Sequence, residues 1–485
     1  MLAGAGPPNH AHMTIATRPQ LDESAVQEFA ARVRGPVIRP NDAGYDAARA
    51  VWNGMIDRYP ALIVRCMGVA DVIAAVRFAR QQGLTIAVRG GGHNVAGFST
   101  CDDGIVIDLG PMKGVHVDPR AMTARAQAGL TWGEFDNETQ AFGLATTGGL
   151  VSTTGLAGFT LGGGIGWLLR KHGLTIDNLL GIELVTADGE LVNASATENP
   201  ELFWGLRDGG GNFGIVTSFE FRLHPVGPLV LGGALFYTLD QAPDLVRQYR
   251  EFVQSASDEL TTLLAFLTAP PEPFMPAELV GKQLVAVALC YTGDIERGQQ
   301  AIAPLRSSVK PGVDVAGPIP YTILQKMFDA SAPHGIRSYR TTAYLDELSD
   351  PIVETLLQSA QKLGDLAPFS AIHVHHSGGA VRRALGGETA FGRRDAQFVL
   401  NFPACWMDPE QDAAHIAWVR EGFDAVSRFS GAGAYLNFLG GDDGEDRVRA
   451  AYGEATYARL AALKREYDPE NIFHLNQNIR PAAAP

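Results

Sequence analysis

The run Arg89-Gly90-Gly91-Gly92-His93-Asn94 places three bare backbone units directly before an imidazole. Consecutive backbone N–H groups can surround a pyrophosphate, and glycines let that backbone come close to a ligand. A neutral imidazole such as that of His93 is also a competent nucleophile. The same six residues would suit a tight turn between strands with a surface histidine, so the run alone leaves both interpretations open.

The common nucleotide-binding glycine motifs do not explain this run. A G-x-G-x-x-G fingerprint must follow a strand and open a helix, and spacings that start at Gly90 or Gly162 fail at the last glycine. Gly209, Gly211 and Gly214 fit the spacing but lead into a predicted strand. The sequence contains no G-x-x-x-x-G-K-[ST] motif. A Rossmann nicotinamide site and a P-loop are therefore not supported.

Glycine-rich runs recur along the chain, and their order is the basis of a resemblance. Three of them and a C-terminal run resemble the FAD-linked oxidases of the vanillyl-alcohol oxidase superfamily, with a PCMH-type FAD-binding domain; they are residues 89–94, 161–167, 207–217, and 467–473 with 476–479. The C-terminal run is similar to that of the berberine bridge enzyme-like subfamily, and the whole chain to its bacterial members with one flavin bond. The resemblance extends over residues 45–481.

The resemblance implies that FAD is bound through a bond between His93 and the flavin 8α-methyl group. Such a bond implies a raised flavin potential, which helps to oxidise unactivated substrates. The alternative is a histidine that packs against the flavin without a bond. The cofactor-binding residues that the resemblance implies are Arg89, Gly90, Gly91, Gly92, His93, Asn94, Gly97, Thr147, Gly148, Ser152, Gly155, Gly158, Gly163, Gly211, Gly214, Val216, Asn476 and Asn478.

A second flavin bond is not expected. Some members of the family join a cysteine to flavin C6, in a G-x-C triplet ahead of the position of Leu161. Here the triplet is Gly149-Leu150-Val151, so Val151 stands in place of the cysteine. This departure predicts a single 8α-histidyl bond, and it disfavours large oligosaccharide substrates.

Candidate catalytic residues lie in the second half of the chain. Protein side chains cannot accept a hydride, so FAD would carry the redox step while the protein orients the substrate and removes a proton. The candidates are Tyr339, Asn401 and Tyr435. A cation at Arg337 or Arg340 could lower the pKa of Tyr339 and make it a base, whereas Asn401 can only orient. Both tyrosines could also be ordinary sheet residues.

Histidines and cysteines give no support for a metal site. His373 and His375 alternate in a predicted strand and so share a face, but no carboxylate or cysteine stands beside them. The four cysteines are far apart and form no C-x-x-C pair; they are Cys66, Cys101, Cys290 and Cys405. We expect no metal, and we expect a reducing, cytoplasmic location.

Helices and strands must position these residues, and the spacing of apolar residues predicts where they lie. Apolar spacing predicts helices over residues 45–57, 69–83, 132–142, 240–255, 352–363 and 451–467. Apolar runs and alternation predict strands over residues 84–88, 104–109, 180–186, 215–223, 229–237, 260–267, 283–291, 371–376, 397–406 and 432–439.

These elements predict an α+β fold with two domains. The run His224-Pro225-Val226-Gly227-Pro228 interrupts both the helical and the strand pattern, and it marks a domain boundary. Residues 13–228 would form the first part of a discontinuous FAD-binding domain, and residues 432–485 its C-terminal part. Residues 229–431 would form a substrate domain, an antiparallel sheet backed by helices. Residues 1–12 are interpreted as a leader ahead of Met13.

Composition limits the partners. The formal net charge of −14 and the pI near 5.3 disfavour nucleic acid and anionic membranes. No apolar run approaches the roughly 18 residues that a membrane span needs, and the N-terminus lacks the pattern of a signal peptide. The oligomeric state stays open.

The function predicted is that of an FAD-dependent oxidase, which takes a hydride from a small organic substrate to flavin N5 and uses O2 to release H2O2. Alcohols, amines and cyclising secondary metabolites are the expected substrates. A flavin monooxygenase or a dehydrogenase of the same fold is the alternative, and a non-catalytic flavin- or metabolite-binding protein is a third.

Overall fold

The structure, a computed structural model, describes residues 21–366, 368–384, 387–431 and 433–483. The leader predicted for residues 1–12 lies outside these residues, as does the first residue of the strand predicted from residue 432. The fold is α+β, which confirms the prediction: helices and parallel and antiparallel sheets occur together. The domain limits given above remain predictions.

The first part of the chain forms two sheets, and one further short strand, Leu144–Ala145, pairs instead with His224–Pro225. Its strands are β1 (Val37–Ile38), β2 (Leu62–Arg65), β3 (Ile86–Arg89), β4 (Ile105–Asp108), β5 (Val115–Asp118), β6 (Thr123–Gln127), β7 (Leu144–Ala145), β8 (Leu179–Val185), β9 (Leu191–Ser195) and β10 (Ile215–Arg222). One sheet has the order β1-β2-β4-β3, with β2, β4 and β3 parallel. The other is antiparallel, in the order β5-β6-β10-β8-β9.

The helices of this part are α1 (Glu23–Arg32), α2 (Tyr45–Arg49), α3 (Val69–Gln82), α4 (Trp132–Gln140), α5 (Leu156–Leu161), α6 (Leu169–His172) and α7 (Pro200–Leu206). The helix predicted over residues 69–83 is confirmed, and Gly83 ends it with a φ of 63°. The helix predicted over residues 45–57 is wrong beyond Arg49. Buried Asn53 instead donates to the carbonyls of Val95 and Ser338, both at 2.8 Å, so tertiary contacts override the helical spacing.

The second part of the chain contains an eight-stranded antiparallel sheet. Its strands and the short strands beside it are β11 (His224–Pro225), β12 (Leu229–Thr238), β13 (Leu260–Thr268), β14 (Gln283–Tyr291), β15 (Val313–Asp314), β16 (Gly317–Pro320), β17 (Arg337–Tyr339), β18 (Thr342–Leu345), β19 (Ala371–His376), β20 (Phe398–Asn401) and β21 (Ala404–Trp406). The sheet order is β15-β12-β14-β13-β19-β20-β18, and β16 pairs with β12.

Helices cover one face of this large sheet. The remaining helices are α8 (Ala242–Ser255), α9 (Ile295–Ser307), α10 (Tyr321–Leu324), α11 (Asp350–Gln361), α12 (Ala380–Arg383), α13 (Asp412–Ser427), α14 (Glu445–Tyr452) and α15 (Glu454–Tyr467). Leu245, Leu356 and Val419 from α8, α11 and α13 pack with Val287 and Val374 of the sheet in one buried cluster. The opposite face of the sheet is left for a ligand.

Three other predicted elements differ from the structure. The strand predicted over residues 397–406 divides into β20 and β21, since Pro403 between them has no N–H for a ladder. The helix predicted over residues 451–467 divides at Gly453, whose φ is 76°. The strand predicted to end at Leu439 is wrong in the described residues, where Leu436–Phe438 is a 3-10 helix.

The last stretch of the chain returns to the first part of the fold. Leu460 and Ile479 are fully buried in the same hydrophobic cluster as Ile105 of β4 and Phe219 of β10. This return brings residues of the C-terminal run next to the glycine-rich loops. Among the described helices, none has the length and apolar character needed to cross a bilayer.

Candidate active site

A cavity of about 1150 Å³ lies between the glycine-rich loops and the open face of the large sheet. His93, Gly155 and Gly211 belong to one wall, and His373 and Asn401 to the other. Small-molecule pockets usually measure about 300–1,000 Å³. The space therefore suits a ligand larger than one small substrate, or two ligands together.

His93 follows β3 and lines the cavity with a fixed orientation. Its Nε2 lies 3.0 Å from Oγ1 of Thr153, and its ring stacks on Trp52 with 5.0 Å between centroids. Burial, with a smaller effect from the nearby charge of Arg340, lowers the pKa of His93 to about 3. The imidazole is therefore neutral near pH 7, and Nδ1 is the nitrogen that Thr153 does not engage.

Bare backbone lets two glycine-rich loops touch beside His93. A Cβ on Gly91 would lie 2.4 Å from the Cα of Gly155, and a Cβ on Gly155 would lie 2.2 Å from the nitrogen of Gly91. Real Cβ atoms do not approach backbone so closely, and side chains at these positions would separate the loops. Glycine is required here for close approach, which explains part of the glycine-rich pattern.

Tyr435 holds a third glycine-rich loop. Its buried hydroxyl accepts hydrogen bonds from the backbone N–H groups of Gly164 (3.1 Å) and Ile165 (3.2 Å) and from the side chain of Asn437 (3.0 Å). Burial raises the pKa of Tyr435. Tyr435 lines the cavity, but its oxygen is occupied by the loop, so the arrangement favours a role in positioning over a role as a base.

The sheet presents two rows of side chains to the cavity. One row crosses five strands and consists of Phe236, Ala286, Ala265, His373 and Asn401, which are successive cross-strand partners. The next row carries Ala288, Leu263 and His375. Residues at alternate positions, such as Val374, point into the helix-covered core. The face is apolar at one end and polar at the other.

At the polar end, hydrogen-bonding atoms lack partners. Nε2 of His375 and Oδ1 of Asn401 are buried and find no hydrogen-bond partner among the described residues. Burial lowers the pKa of His373 to about 4 and that of His375 to about 3, so both imidazoles are neutral near pH 7. Unsatisfied buried polar atoms are costly, which indicates that a ligand completes them.

Two families match regions of the chain that contribute residues to the cavity lining. The FAD binding domain family matches residues 60–195, and the family described as berberine and berberine like matches residues 434–480. An FAD-linked oxidoreductase of Dictyostelium discoideum is 34% identical over 94% of this chain and 97% of the relative. The chain belongs to the berberine bridge enzyme-like FAD-linked oxidoreductases.

Two further proteins support the assignment to FAD-linked oxidoreductases, and a third shares the fold. The (R)-6-hydroxynicotine oxidase of Paenarthrobacter nicotinovorans is 33% identical over 93% of this chain and 97% of the relative. A crystal structure of 6-hydroxy-D-nicotine oxidase from Arthrobacter nicotinovorans has a TM-score of 0.82 at 29% identity, covering 93% of this chain and 98% of that one. A xylooligosaccharide oxidase from Myceliophthora thermophila shares the fold, with a TM-score of 0.83 at 22% identity and coverage of 95% and 100%.

The cavity of this FAD-linked oxidoreductase fits FAD. Loops of bare backbone form one wall, where N–H groups can hold a pyrophosphate. Oδ1 of Asp208 and Oδ1 of Asn476 find no hydrogen-bond partner among the described residues, and both residues line the cavity. Burial raises the pKa of Asp208 well above its usual range, so its carboxyl can be neutral and donate to a cofactor oxygen.

The predicted cofactor residues fall into two groups. Those that line the cavity are Gly90, Gly91, Gly92, His93, Asn94, Gly155, Gly158, Gly211, Gly214, Val216 and Asn476. Those that lie behind the lining are Arg89, Gly97, Thr147, Gly148, Ser152, Gly163 and Asn478. Several of the second group support the loops: Arg89 pairs with Asp108 at 3.1 Å, and Thr147 donates to the carbonyl of Gly173 at 2.8 Å.

Tyr339 does not have the environment that was predicted for it. Its hydroxyl donates to Asp442 at 2.6 Å, and it does not belong to the cavity lining. Burial and then this carboxylate raise its pKa to about 12. The predicted lowering of the pKa by Arg337 or Arg340 is wrong, because Arg337 pairs with Asp412 and Arg340 turns into the cavity.

Val151 lines the cavity, so the residue that replaces the cysteine of the G-x-C triplet faces the space for the ligand. All four cysteines are free and buried, and Cys405 alone of them lines the cavity. Burial raises the pKa of Cys405, and its Sγ lies 3.5 Å from Oγ of Ser338. In the described residues, no three His, Cys, Asp or Glu side chains gather as a metal site requires.

Sequence reasoning missed several lining residues. Trp52, Asp208 and Arg340 contribute an aromatic ring, a neutral acid and a cation. Trp52 lies inside a predicted helix, and the sequence pattern indicates only that Arg340 is a neighbour of Tyr339. Arginines with no acidic neighbour in sequence also occur in other strands, as at Arg125 in β6, so no sequence signal identifies Arg340.

Proposed function

We propose that the enzyme is an oxidase that takes a hydride from a small organic substrate and uses O2 as the electron acceptor, with release of H2O2. Alcohols, amines and cyclising secondary metabolites are the substrates proposed. The observation that carries the proposal is a single cavity with His93 on one wall and His375 and Asn401 on the other. The oxidase names of similar proteins support it.

We infer further that FAD is held by one covalent bond, from His93 to the flavin 8α-methyl group. The low pKa of His93 favours the neutral, nucleophilic imidazole, and Thr153 and Trp52 fix its ring. Val151 offers no thiol for a second bond, and the raised pKa of Cys405 keeps that thiol protonated. When bound, FAD supplies the hydride acceptor and the reaction with O2.

The sheet wall supplies the groups that act on the substrate. Asn401 can orient a substrate O–H or N–H group, since its unpartnered Oδ1 accepts a hydrogen bond. His375 is neutral, so its unpartnered Nε2 can accept a hydrogen bond from the same group. The glycine-rich wall offers backbone for holding a cofactor, and it offers little with which to select a substrate.

An anaerobic screen tests this proposal. The purified enzyme is mixed without O2 with a panel of alcohols, amines and phenols, and bleaching of the yellow flavin band reports hydride transfer. We expect at least one compound to bleach the flavin, and air to restore it with one H2O2 per substrate oxidised.

Three results would contradict the proposal. Reduced flavin that air does not reoxidise to give H2O2 would indicate a dehydrogenase, and an oxygenated product without H2O2 would indicate a monooxygenase. Flavin that dithionite bleaches but no panel compound reduces would argue for a binding protein.

A further inference from the structure

The sheet wall of the cavity changes character along its length. At the β12 and β14 end, the lining residues are apolar, and Ala234, Ala286 and Ala288 on these adjacent strands have small side chains. Phe236 belongs to the same end. Small side chains leave room above the sheet, and apolar side chains favour an apolar ligand. This end has the properties of a slot for the hydrophobic body of a ligand.

Arg340 adds a cation at the polar end of the wall. It lies over the rings of Trp52 (5.5 Å) and Phe438 (6.0 Å), and it donates to Oγ of Ser338 at 3.2 Å. Its Nε has no hydrogen-bond partner, and no carboxylate lies within 4 Å of its guanidinium among the described residues. A guanidinium shielded from solvent needs an anion or several acceptors to offset its desolvation.

Other charged groups of the lining do not neutralise Arg340. Asp208 belongs to the opposite wall, and burial raises its pKa, which favours the neutral acid. Glu272 and Lys326 also line the cavity, but both are exposed side chains at its outer side. The neighbouring His373 and His375 are neutral, and burial raises the pKa of Cys405, the thiol next to Arg340, so that it stays protonated. The inner part of the cavity therefore carries one uncompensated positive charge.

The negative charge of reduced flavin would not lie next to the positive charge of Arg340. If FAD is attached at His93 through its 8α-methyl group, the dimethylbenzene ring lies beside His93. The negative charge of reduced flavin develops on the pyrimidine ring, at the far end of the ring system. Trp52 contacts both His93 and Arg340, so Arg340 lies on the side of the attachment point.

We propose that the substrate is an amphiphile with an ionised acid group, a carboxylate or an acidic phenol or enol, which pairs with Arg340 while an apolar body fills the slot above Ala234, Ala286 and Ala288. The inference deepens the proposed function, since it rests on this cavity holding the substrate. Asn401 and His375 complete the polar end beside the acid group.

Anaerobic titrations of the flavin-loaded enzyme with 2-naphthoate and with uncharged 2-naphthamide test the proposal. Binding is read from the change in flavin absorption, without turnover. We expect 2-naphthoate to bind about tenfold or more tightly than the amide, as hydrogen bonds to charged groups imply. Arg340→Gln should remove this preference by weakening the acid alone, and Arg340→Lys should retain part of it. Ala286→Phe should weaken both probes by filling the slot.

Arg420→Gln is the matched control, because it removes an arginine that is exposed on α13 and outside the cavity lining. It should leave the preference unchanged. Equal affinities for the two probes in the unmodified enzyme, or a preference that survives Arg340→Gln, would overturn the proposal. Since binding is measured without substrate oxidation, these outcomes remain distinct from a failure of the oxidase activity itself.

Discussion

Asn401 and His375 face the cavity with polar atoms that no described residue satisfies. If both residues orient the substrate through hydrogen bonds, Asn401→Ala and His375→Gln should each lower kcat/KM about tenfold or more, because a buried hydrogen bond is lost. The flavin should stay bound and yellow in both variants, since neither residue lies on the glycine-rich wall. Steady-state kinetics with the substrate from the screen, and the ratio of flavin to protein absorbance, measure both effects.

Tyr339→Phe is the control for these variants. Its hydroxyl bonds Asp442 outside the cavity lining, so the change should leave kcat/KM within about twofold. A large kinetic loss in Tyr339→Phe, or flavin loss with normal kinetics in Asn401→Ala, would place the substrate-contacting residues elsewhere.

The sequence identified some site residues and missed others for a physical reason. His93 and the glycines of its run stand together in the chain, and a loop brings consecutive residues to one place. Tyr339 and Arg340 are also neighbours, but residues next to each other in extended chain point in opposite directions. Only one of the two could face the cavity, and residue types alone could not decide which.

At the scale of elements, two histidines form a stacked pair between α6 and β11. The rings of His172 and His224 lie 3.7 Å apart at an angle of 12°, and Nε2 of His224 lies 2.7 Å from Oδ1 of Asn178. Burial lowers the pKa of His172 to about 3 and that of His224 to about 4. Both are neutral in the folded protein at pH values where they are protonated in the unfolded chain.

This pair should make the fold sensitive to acid. Because the folded pKa values lie below the unfolded value of about 6.5, protons favour the unfolded chain, and stability is lost as pH falls below 6.5. His172→Phe removes one such group. We expect the loss in free energy of unfolding between pH 8 and pH 5 to shrink by about 1 kcal/mol, allowing for partial exposure to solvent.

Urea unfolding of the two proteins at both pH values gives the comparison. His116→Phe changes an exposed histidine of β5. This variant should lose as much free energy of unfolding between pH 8 and pH 5 as the unmodified protein. If His172→Phe and the unmodified protein lose the same free energy of unfolding between pH 8 and pH 5, the stacked pair does not titrate as described.

Strong local patterns predicted elements well, and contacts between distant segments account for the errors. The strands predicted over residues 283–291 and 371–376 are β14 and β19 without change. A nearly continuous apolar run forms β14, and β19 is buried along almost all of its length. The segment after Arg49 and the segment around Tyr435 are different. Asn53 and Tyr435 bond backbone far away in the chain, and no periodicity within either segment reports those bonds.

At the scale of the whole molecule, the cavity is assembled by contacts between segments far apart in sequence. Ser152 donates through its N–H and its hydroxyl to Asp329, at 2.8 and 2.6 Å, and the indole N–H of Trp52 donates to the carbonyl of Ala332 at 2.9 Å. The glycine-rich loops and the large sheet therefore meet around one space. The resemblance to a flavoenzyme family predicted that meeting, while local sequence patterns could not.

The central claim is that this cavity holds FAD by one bond to His93, and the intact mass of the denatured protein tests it most directly. The unmodified protein, purified with its yellow flavin and denatured in acid, should show the chain mass plus one FAD, and digestion should leave the flavin on the His93 peptide alone. His93→Ala should show the bare chain mass, and the matched variant His116→Ala should keep the adduct. A bare chain in the unmodified protein, with all the flavin released in acid, or flavin on the Cys405 peptide, would contradict the account.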